Sequence, residues 1–409
     1  MLKKFALSKL FILSLFFVNA QSLPIGWWRA VLEREDGNNV VFNFESKKLN
    51  GKQVLYVRNA DERILFDNIS FKGDSVIINP PLFESQIRAL LHKDGSLTGV
   101  WTRARSNGHF SMPFTAVYKQ SERFKLSNGP AKININGRWA VNFLADGVES
   151  PSVGEFKQTG NNLTGTFLTT TGDYRYLEGV VTGDSMKLSC YDGAHAFFFS
   201  AKIENDHTIS GGIYVSGPVY AEKWAAVKNP KASLPEDASA VYLKRGEDRL
   251  NFSFPDLNGN MVSINDDKFK NKVVVIQIMG SWCSNCMDET AFMSDYYNRN
   301  KNRGIEMISL AYEYSSDAER SKKSLQKFQQ RFNVKYPILD TRVSVSDTMR
   351  TEKTLPELTP IKMFPTSIIL DKKGKVRKID TGFNGPATGE HYVKYKKEFE
   401  ETVSKLLAE

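Results

Sequence analysis

The sequence predicts a multidomain protein in which an all-β amino-terminal region precedes an α/β region. Three observations support this fold class. The chain has 409 residues, well beyond the ~150 residues of a typical domain. Residues 24–228 contain short β-rich runs separated by Gly, Asn and Asp, without sustained helical periodicity. From residue 250 onward, runs typical of fully buried strands alternate with helical patterns.

The charge distribution does not point to a nucleic-acid partner. The formal net charge of +9 divides into +3 for residues 1–20, +2 for 21–249 and +4 for 250–409. No segment carries the concentrated basic stripe of a nucleic-acid binder, so this class is excluded. The composition, with 28 Gly, 15 Pro and 41% hydrophobic residues, also excludes collagen, a disordered chain and a multi-pass membrane protein.

The amino terminus has the parts of a secretory signal peptide over residues 1–20. Lysines precede an apolar run over 10–18, and Ala20 closes a possible cleavage site. The run is too short to cross a hydrocarbon layer of ~30 Å, although residues 5–7 could extend it into an uncleaved anchor. We expect a mature chain that starts near Gln21, has no transmembrane span and works in the bacterial periplasm or cell envelope.

The β-rich region is internally repeated. Residues 26–31 are echoed at 137–141, and two later pairs of segments keep nearly the same offset, 109 to 112 residues. Such an offset predicts two units, over 21–128 and 129–229. Each unit holds about eight strands, which is enough to close an up-and-down barrel and remove its edges.

Two tryptophans and one cysteine of this region invite a functional interpretation. The Gly-x-Trp opening of each unit, together with residues 161–167, resembles the lipocalin and avidin type of small barrel. We interpret Trp28 and Trp139 as side chains that plug the barrels, the alternative being a ligand wall. Cys190 lies on an alternating strand pattern and is interpreted as a buried small hydrophobe, with a redox partner role as the alternative.

A linker over 230–249, rich in Pro, Ser, Ala and charge, marks the boundary to an α/β domain over 250–409. The elements expected in that domain are a buried strand over 273–278, a helix over 284–302, a strand over 305–311, a helix opened by the capping box 316–319 and ending near 332, a hairpin of 366–370 with 376–379, and a helix over 390–407. Their order predicts a central mixed sheet covered by helices.

A Cys-x-x-Cys pair lies between the first of these strands and its helix. Cys283 stands at the helix start, where unpaired backbone N–H groups and the positive end of the helix dipole stabilise a thiolate. Cys286 follows one turn later and is expected to be more buried. This arrangement is typical of a nucleophilic cysteine followed by a resolving cysteine.

Other chemistry for the cysteine pair is less well supported. A zinc site needs four ligands, and the chain offers no second cysteine pair and no histidine between His207 and His391. Haem attachment needs a histidine where Met287 stands. A purely structural disulfide would close a loop too short to stabilise much. We therefore expect no metal and no bound cofactor.

The α/β domain resembles the thioredoxin fold of the TlpA/ResA-like exported thiol-disulfide oxidoreductases. The matching stretches are residues 252–259, the strand leading into 282–286, and 364–374, and residues 381–390 resemble the end of many such domains. Together they span nearly all of 250–409.

The resemblance implies three further site residues. Pro365 matches the cis-proline that lies beside the dithiol and lets the preceding backbone pair with a substrate. Glu289 matches an acid that tunes proton transfer near the second cysteine, the alternative being a solvated helix glutamate. Trp282 matches the aromatic residue that flanks the first cysteine, although packing alone would also explain it.

The sequence also departs from this family. Gln277 occupies the position where thioredoxins carry a buried acid, so general-base help from that position is absent. The distance from Cys286 to Pro365 exceeds what a minimal thioredoxin needs, and we expect the excess as an insertion over 341–361 near the active-site face.

The sequence thus predicts an exported thiol-disulfide oxidoreductase that reduces disulfides of exported proteins through Cys283 and Cys286. An unidentified membrane or periplasmic donor would restore the dithiol. Two alternatives remain open. The β-rich half could be a ligand- or partner-binding module with an accessory redox domain. A peroxiredoxin-type peroxidase is less favoured, because Gly280 stands where that branch has threonine.

Overall fold

A computed structural model describes residues 22–106, 108–235 and 240–409. The signal peptide expected over 1–20 lies outside the described residues. Within the described ranges, no helix is both long and apolar enough to cross a membrane.

The first unit is a nine-stranded antiparallel sheet. Its strands are β1 (Gly26–Leu32), β2 (Val40–Leu49), β3 (Lys52–Asn59), β4 (Glu62–Phe66), β5 (Asn68–Lys72), β6 (Ser75–Asn79), β7 (Ser85–Leu91), β8 (Leu97–Ala104) and β9 (His109–Tyr118). They follow the order β4-β3-β2-β1-β9-β8-β7-β6-β5.

The seam of this first barrel-like sheet lies between β4 and β5, the two ends of the strand order. One residue, Asp67, separates these strands, and a single residue is too short a connection to fold them into a hairpin. The chain therefore runs on from β4 into β5, and the two form one continued strand that pairs with β3 at its start and with β6 at its end. Counted in this way the unit has about eight strands, and its expected barrel-like form is confirmed.

The second unit is also barrel-like, and a strand pairing closes it. Its strands are β10 (Gly137–Ala145), β11 (Val148–Thr159), β12 (Asn162–Thr169), β13 (Gly172–Asp173), β14 (Leu177–Thr182), β15 (Ser185–Tyr191), β16 (Ala196–Asn205), β17 (Thr208–Ser216) and β18 (Tyr220–Lys228). The order runs β11-β10-β18-β17-β16-β15-β14-β12-β13, and β11 also pairs with β12. That last pairing returns the ladder to its start, so no edge remains along the closed circuit.

The tryptophans that open the two units have the packing role expected of them. Trp28 and Trp139 are both 0% exposed. Each indole N–H donates to the carbonyl oxygen four residues earlier, Trp28 to Pro24 at 3.2 Å and Trp139 to Ile135 at 2.9 Å. Cys190 is 1% exposed within the second barrel core, which confirms its interpretation as a buried side chain.

The two β units pack against each other. Tyr191, at the end of β15, stacks on Phe42 of the first unit with ring centroids 4.1 Å apart, and the edge of Trp101 contacts it. Arg123, in the segment between the units, is buried, pairs with Glu178 at 3.2 Å and donates to a second-unit carbonyl. Apolar stacking and a buried, satisfied charge therefore join the units.

The carboxyl-terminal domain is a mixed sheet covered by helices, as the sequence predicts. Its elements are β19 (Ser253–Pro255), β20 (Met261–Ser263), β21 (Val273–Met279), α1 (Ser284–Asn300), β22 (Ile305–Ala311), α2 (Ala318–Arg331), β23 (Ile338–Asp340), α3 (Arg350–Thr354), β24 (Thr366–Leu370), β25 (Val376–Thr381) and α4 (Glu390–Ala408). The sheet order is β23-β22-β21-β24-β25, with β22 parallel to β21 and β23 and the remaining pairs antiparallel.

Small differences from the expected elements have local causes. Asp317, rather than Ser316, caps α2, because its carboxylate accepts the Arg320 N–H at 2.7 Å. The short strands β19, β20 and β23 were not expected from the sequence, since three residues are too few for a periodic signal. Val241, inside the predicted linker, is 1% exposed and donates its N–H to Thr381 Oγ1 at 2.9 Å. The exact domain boundaries stay a prediction.

Candidate active site

The loop between β21 and α1 places Cys283 as the N-cap residue of α1. The Cys283 sulfur accepts the backbone N–H of Cys286 at 3.2 Å. The sulfur therefore faces a backbone donor at the positive end of the helix dipole.

The two cysteines differ in burial. Cys283 is 7% exposed and Cys286 is 0% exposed, and both are free thiols. Burial raises the pKa of the Cys286 thiol well above its ordinary value, and the neighbouring Cys283 adds to the effect. Cys283 is therefore the more exposed of the two sulfurs, and Cys286 is the one whose thiol form is favoured by burial.

Pro365 and Trp282 lie beside the first cysteine. The Phe364–Pro365 peptide bond is cis, and the Phe364 carbonyl oxygen lies 3.5 Å from the Cys283 sulfur, whose thiol donates to it. The Trp282 indole donates to the Tyr312 carbonyl at 2.8 Å. The Trp282 ring also stacks on Tyr314 and meets the ring of Phe364 at an angle, with both centroid distances at 5.4 Å. The structure thus brings the cysteine loop and the proline loop together.

Glu289 lies inside the domain at 0% exposure, so the alternative of a solvated helix glutamate is wrong. One carboxylate oxygen accepts from the Gln277 amide and the other from the Tyr395 hydroxyl, each at 2.8 Å. Burial raises the pKa of Glu289 to about 7, although these two hydrogen bonds oppose the rise. The carboxyl group can therefore exchange a proton near neutral pH.

Gln277 links this acid to the second cysteine. Its amide nitrogen donates to Glu289 and also lies 3.5 Å from the Cys286 carbonyl oxygen. Its amide oxygen accepts the hydroxyls of Thr290 and Ser309, each at 3.0 Å. The position on β21 lacks an acid, as expected, but the side chain there orients an acid from α1.

A second buried acid was missed by the sequence reasoning. Glu313, two residues beyond β22, is 5% exposed and accepts both the backbone N–H of Ser281 at 2.8 Å and its hydroxyl at 2.6 Å. Burial raises its pKa to about 7. Glu313 thereby fixes the loop that leads into Cys283. The signal for it was its place at the carboxyl end of a buried strand, where sheet sites collect.

The segment expected as an insertion, residues 341–361, contains α3 and lies next to the proline loop. The Arg350 guanidinium stands over the Phe364 ring at 5.9 Å and donates to the Ile361 carbonyl at 2.6 Å. Within the described ranges, no group of three His, Cys, Asp or Glu side chains is arranged to hold a metal ion.

Comparison with known proteins agrees with this geometry. The Redoxin family model matches residues 244–394. The carboxyl-terminal domain is a redoxin domain of the TlpA/ResA-like thioredoxin fold. Thiol-disulfide oxidoreductase ResA of Bacillus subtilis (strain 168) is 28% identical over 141 residues, which are 34% of this chain and 69% of that protein. The ResA of Bacillus thuringiensis is 29% identical over 131 residues, 32% of this chain. The chain spans about two thirds of the length of these ResA proteins, 66% in the second case.

Solved structures of similar domains also match. A structure described as a putative thiol:disulfide interchange protein DsbE from Chlorobium tepidum has 22% sequence identity and a TM-score of 0.31, covering 41% of this chain and 99% of that chain. The thioredoxin domain of a thiol-disulfide oxidoreductase from Bacteroides vulgatus has 24% identity and a TM-score of 0.28, covering 38% and 99%. In this chain the redoxin domain is preceded by two barrel-like sheets.

The second barrel touches the redoxin domain at the dithiol. With its amide oriented to satisfy both partners, Asn285 donates to the Asp173 carbonyl at 3.2 Å and accepts the Asp173 N–H at 3.0 Å. Gly172 permits this approach, since a Cβ there would lie 1.8 Å from an atom of the Asn285 side-chain amide. The residue between the cysteines is therefore paired with barrel backbone.

Arg175 makes the second contact between the barrel and the redoxin domain. It is buried, donates to the Ser284 carbonyl at 3.0 Å, pairs with Asp288 at 3.0 Å and forms an ion pair with Glu62 of the first unit. One guanidinium thus joins both β units to the first turn of α1. No local pattern in the sequence predicts this contact.

Beside these contacts, a cleft of about 490 Å³ lies between the second barrel and the redoxin domain. Cys283, Trp282 and Phe364 line it from the redoxin domain. Residues of the second barrel line the opposite side, among them Thr171 and Tyr174. The Cys283 side chain therefore borders a space that both domains enclose.

Proposed function

We propose that this protein is an exported thiol-disulfide oxidoreductase that reduces disulfides through Cys283 and Cys286. The observation that carries the proposal is the asymmetry of the pair: Cys283 caps α1 and accepts a backbone N–H, while Cys286 is wholly buried. The ResA relatives are thiol-disulfide oxidoreductases, which supports the same activity for this chain. Export rests on the signal-peptide pattern of residues 1–20.

The reaction proceeds in two exchanges. The Cys283 thiolate attacks one sulfur of the substrate disulfide, a new S–S bond forms, and the first product sulfur leaves as a thiolate that takes up a proton. Cys286 then loses its proton and attacks the Cys283 sulfur, which releases the second product thiolate. The substrate gains two electrons and the dithiol loses two, so an external dithiol donor has to return them.

Three neighbours have roles in these exchanges. Glu289 accepts the Cys286 proton, which its pKa of about 7 allows near neutral pH. The backbone beside Pro365 offers the Phe364 carbonyl to a substrate segment next to the Cys283 sulfur. Trp282 is a positioning residue, because its bond to the Tyr312 carbonyl and its stacking on Tyr314 hold the cysteine loop.

A trapping experiment tests this proposal. Cys286→Ser removes the resolving sulfur, so the variant should accumulate mixed disulfides through Cys283 in an extract of exported proteins, seen as adducts on a non-reducing gel and mapped by mass spectrometry. Cys283→Ser is the matched control and should form none. Wild-type protein should reduce insulin with dithiothreitol as donor. Absence of both adducts and insulin reduction would remove the proposal.

The alternatives are not favoured by the geometry. In the second barrel, the rings of Phe167 and Tyr214 both stack on the ring of Phe199, with centroid distances of 4.7 and 4.5 Å. Side chains therefore occupy the space that an internal ligand would need. For a peroxidase, Gly280 offers no hydroxyl beside Cys283, and hydrogen peroxide consumption by the wild-type protein is the measurement that bears on it.

A further inference from the structure

The cleft beside Cys283 has an uneven charge. Two glutamates of the second barrel, Glu149 and Glu222, line it, as does Asp173. All the lining residues belong to the described part of the chain, and none of them is a lysine or an arginine. A substrate that enters the cleft therefore meets carboxylates and meets no permanent positive charge on its walls.

Two arginines, Arg175 and Arg103, lie near the cleft without lining it. Arg175 is occupied by Glu62, Asp288 and the Ser284 carbonyl. Arg103 donates to the Tyr314 hydroxyl at 3.0 Å and to the ring of His195.

His195 itself lines the cleft, and its other ring nitrogen lies 2.9 Å from Asp192. Because Arg103 donates to Nε2, the hydrogen on the ring sits on Nδ1, and burial lowers the pKa of this histidine. His195 thus adds no positive charge near neutral pH.

The acids differ in how they are occupied. Asp173 accepts the Gly385 N–H at 2.7 Å and the Arg175 N–H at 2.6 Å, so it holds the domains together. Glu222 accepts only the Tyr220 hydroxyl among the described contacts, and Glu149 is exposed. Glu149 and Glu222 are therefore the acids that can face a substrate.

The shape of the cleft adds a size limit. A volume of about 490 Å³ lies within the range of small-molecule sites, ~300–1,000 Å³. The barrel backbone bonds to Asn285, two residues from Cys283, so the barrel edge stands directly over the approach to the sulfur. A compact disulfide fits such a space better than one on the flat surface of a folded protein.

We propose that this cleft, shared by the second barrel and the redoxin domain, is a substrate site for compact disulfides that are cationic or uncharged, and that it disfavours anionic ones. This inference rests on the proposed oxidoreductase activity and follows the same two exchanges, with electrons passing from the dithiol to the small disulfide.

Three small disulfides of graded charge test the proposal on the full chain. The probes are cystamine, bis(2-hydroxyethyl) disulfide and glutathione disulfide, and each rate is divided by the rate of the same disulfide with dithiothreitol alone. At pH 7 and low ionic strength the normalised rates should fall in that order, by about tenfold from first to last. Added salt at ~0.5 M should compress the difference, because it screens the wall charges.

Substitution of the wall acids provides the second arm. The double variant Glu149→Gln with Glu222→Gln should slow cystamine and speed glutathione disulfide, each about threefold. The combination of Glu35→Gln with Glu122→Gln is the matched control: it removes the same two units of charge from exposed residues outside the cleft and should leave the order unchanged.

The outcomes separate this inference from the proposed function. If the wild-type protein reduces all three disulfides at equal normalised rates, or if the double variant keeps the wild-type order and spread, the substrate preference is refuted and the oxidoreductase activity stands. If it reduces none of them and no insulin, the activity itself is lost.

Discussion

Replacing Glu289 with glutamine should stabilise the redoxin domain at alkaline pH and leave its stability near pH 4 almost unchanged. The carboxyl group is 0% exposed, and burial raises its pKa from 4.5 to about 7. Between these two values the folded state holds a proton that the unfolded state has released. The free energy of unfolding therefore falls as pH rises through this window, by ~1.4 kcal/mol per pH unit. Above pH 7 the accumulated loss is roughly 3 kcal/mol.

Glutamine fits the same site without a charge. Its amide oxygen can accept from Gln277, and its amide nitrogen can donate to the Tyr395 hydroxyl, which takes the role of acceptor. A protonated glutamate makes the same pair of contacts. The variant should therefore match the wild-type protein where Glu289 is protonated and exceed it where Glu289 is charged.

Hydrogen exchange measures the stability of the redoxin domain within the full chain. It is the suitable method because a protein of three units need not unfold in a single two-state transition. Exchange of peptides from β21 and α1, corrected for the intrinsic rate at each pH, gives the opening free energy of the redoxin domain between pH 5 and 9. Glu400→Gln, on an exposed part of α4, is the matched control. If wild type and Glu289→Gln show the same decline with pH, the raised pKa is refuted.

Two further predictions concern the β units. Arg175→Met leaves Glu62 and Asp288 without their cation, so the contact between the second barrel and the redoxin domain should weaken by roughly 3–5 kcal/mol. Iodoacetamide should then label Cys283 faster than in the wild-type protein. Arg299→Met breaks an exposed pair and should change labelling little; equal labelling of both variants would contradict the docking role. Cys190→Ala should cost roughly 1–2 kcal/mol of second-barrel stability and leave insulin reduction intact, and a loss of reduction at full folding would show a redox role.

The sequence predicted the parts of the redoxin domain that depend on neighbouring residues. The buried strand over 273–278, the helix after it and the cysteine pair between them are local features, because β-branched runs and helix starts are encoded within a few residues. The same holds for the hairpin across residues 366–379. The structure places these elements within one or two residues of the expected bounds.

The features that escaped prediction depend on distant parts of the chain. Glu289 is buried because Tyr395, on the last helix, and Gln277, on the first strand, both close over it. Arg175 meets Asp288 only after the second barrel has docked on α1. No periodicity within a short window records such contacts, so burial and ion pairing across domains had to come from the structure.

The contacts across the domain boundary explain in physical terms why the redoxin domain has a large β companion. The first turn of α1 carries the Cys286 N–H that the Cys283 sulfur accepts, so the position of this turn sets the surroundings of that sulfur. Within that turn, Ser284 and Asp288 bind Arg175, and the Asn285 amide pairs with Asp173. A movement of the barrel relative to α1 would therefore alter the contacts that hold the residues around Cys283 and Cys286. We infer that the second barrel belongs to the reaction site, both as a wall of the cleft and as a support for the helix that begins there.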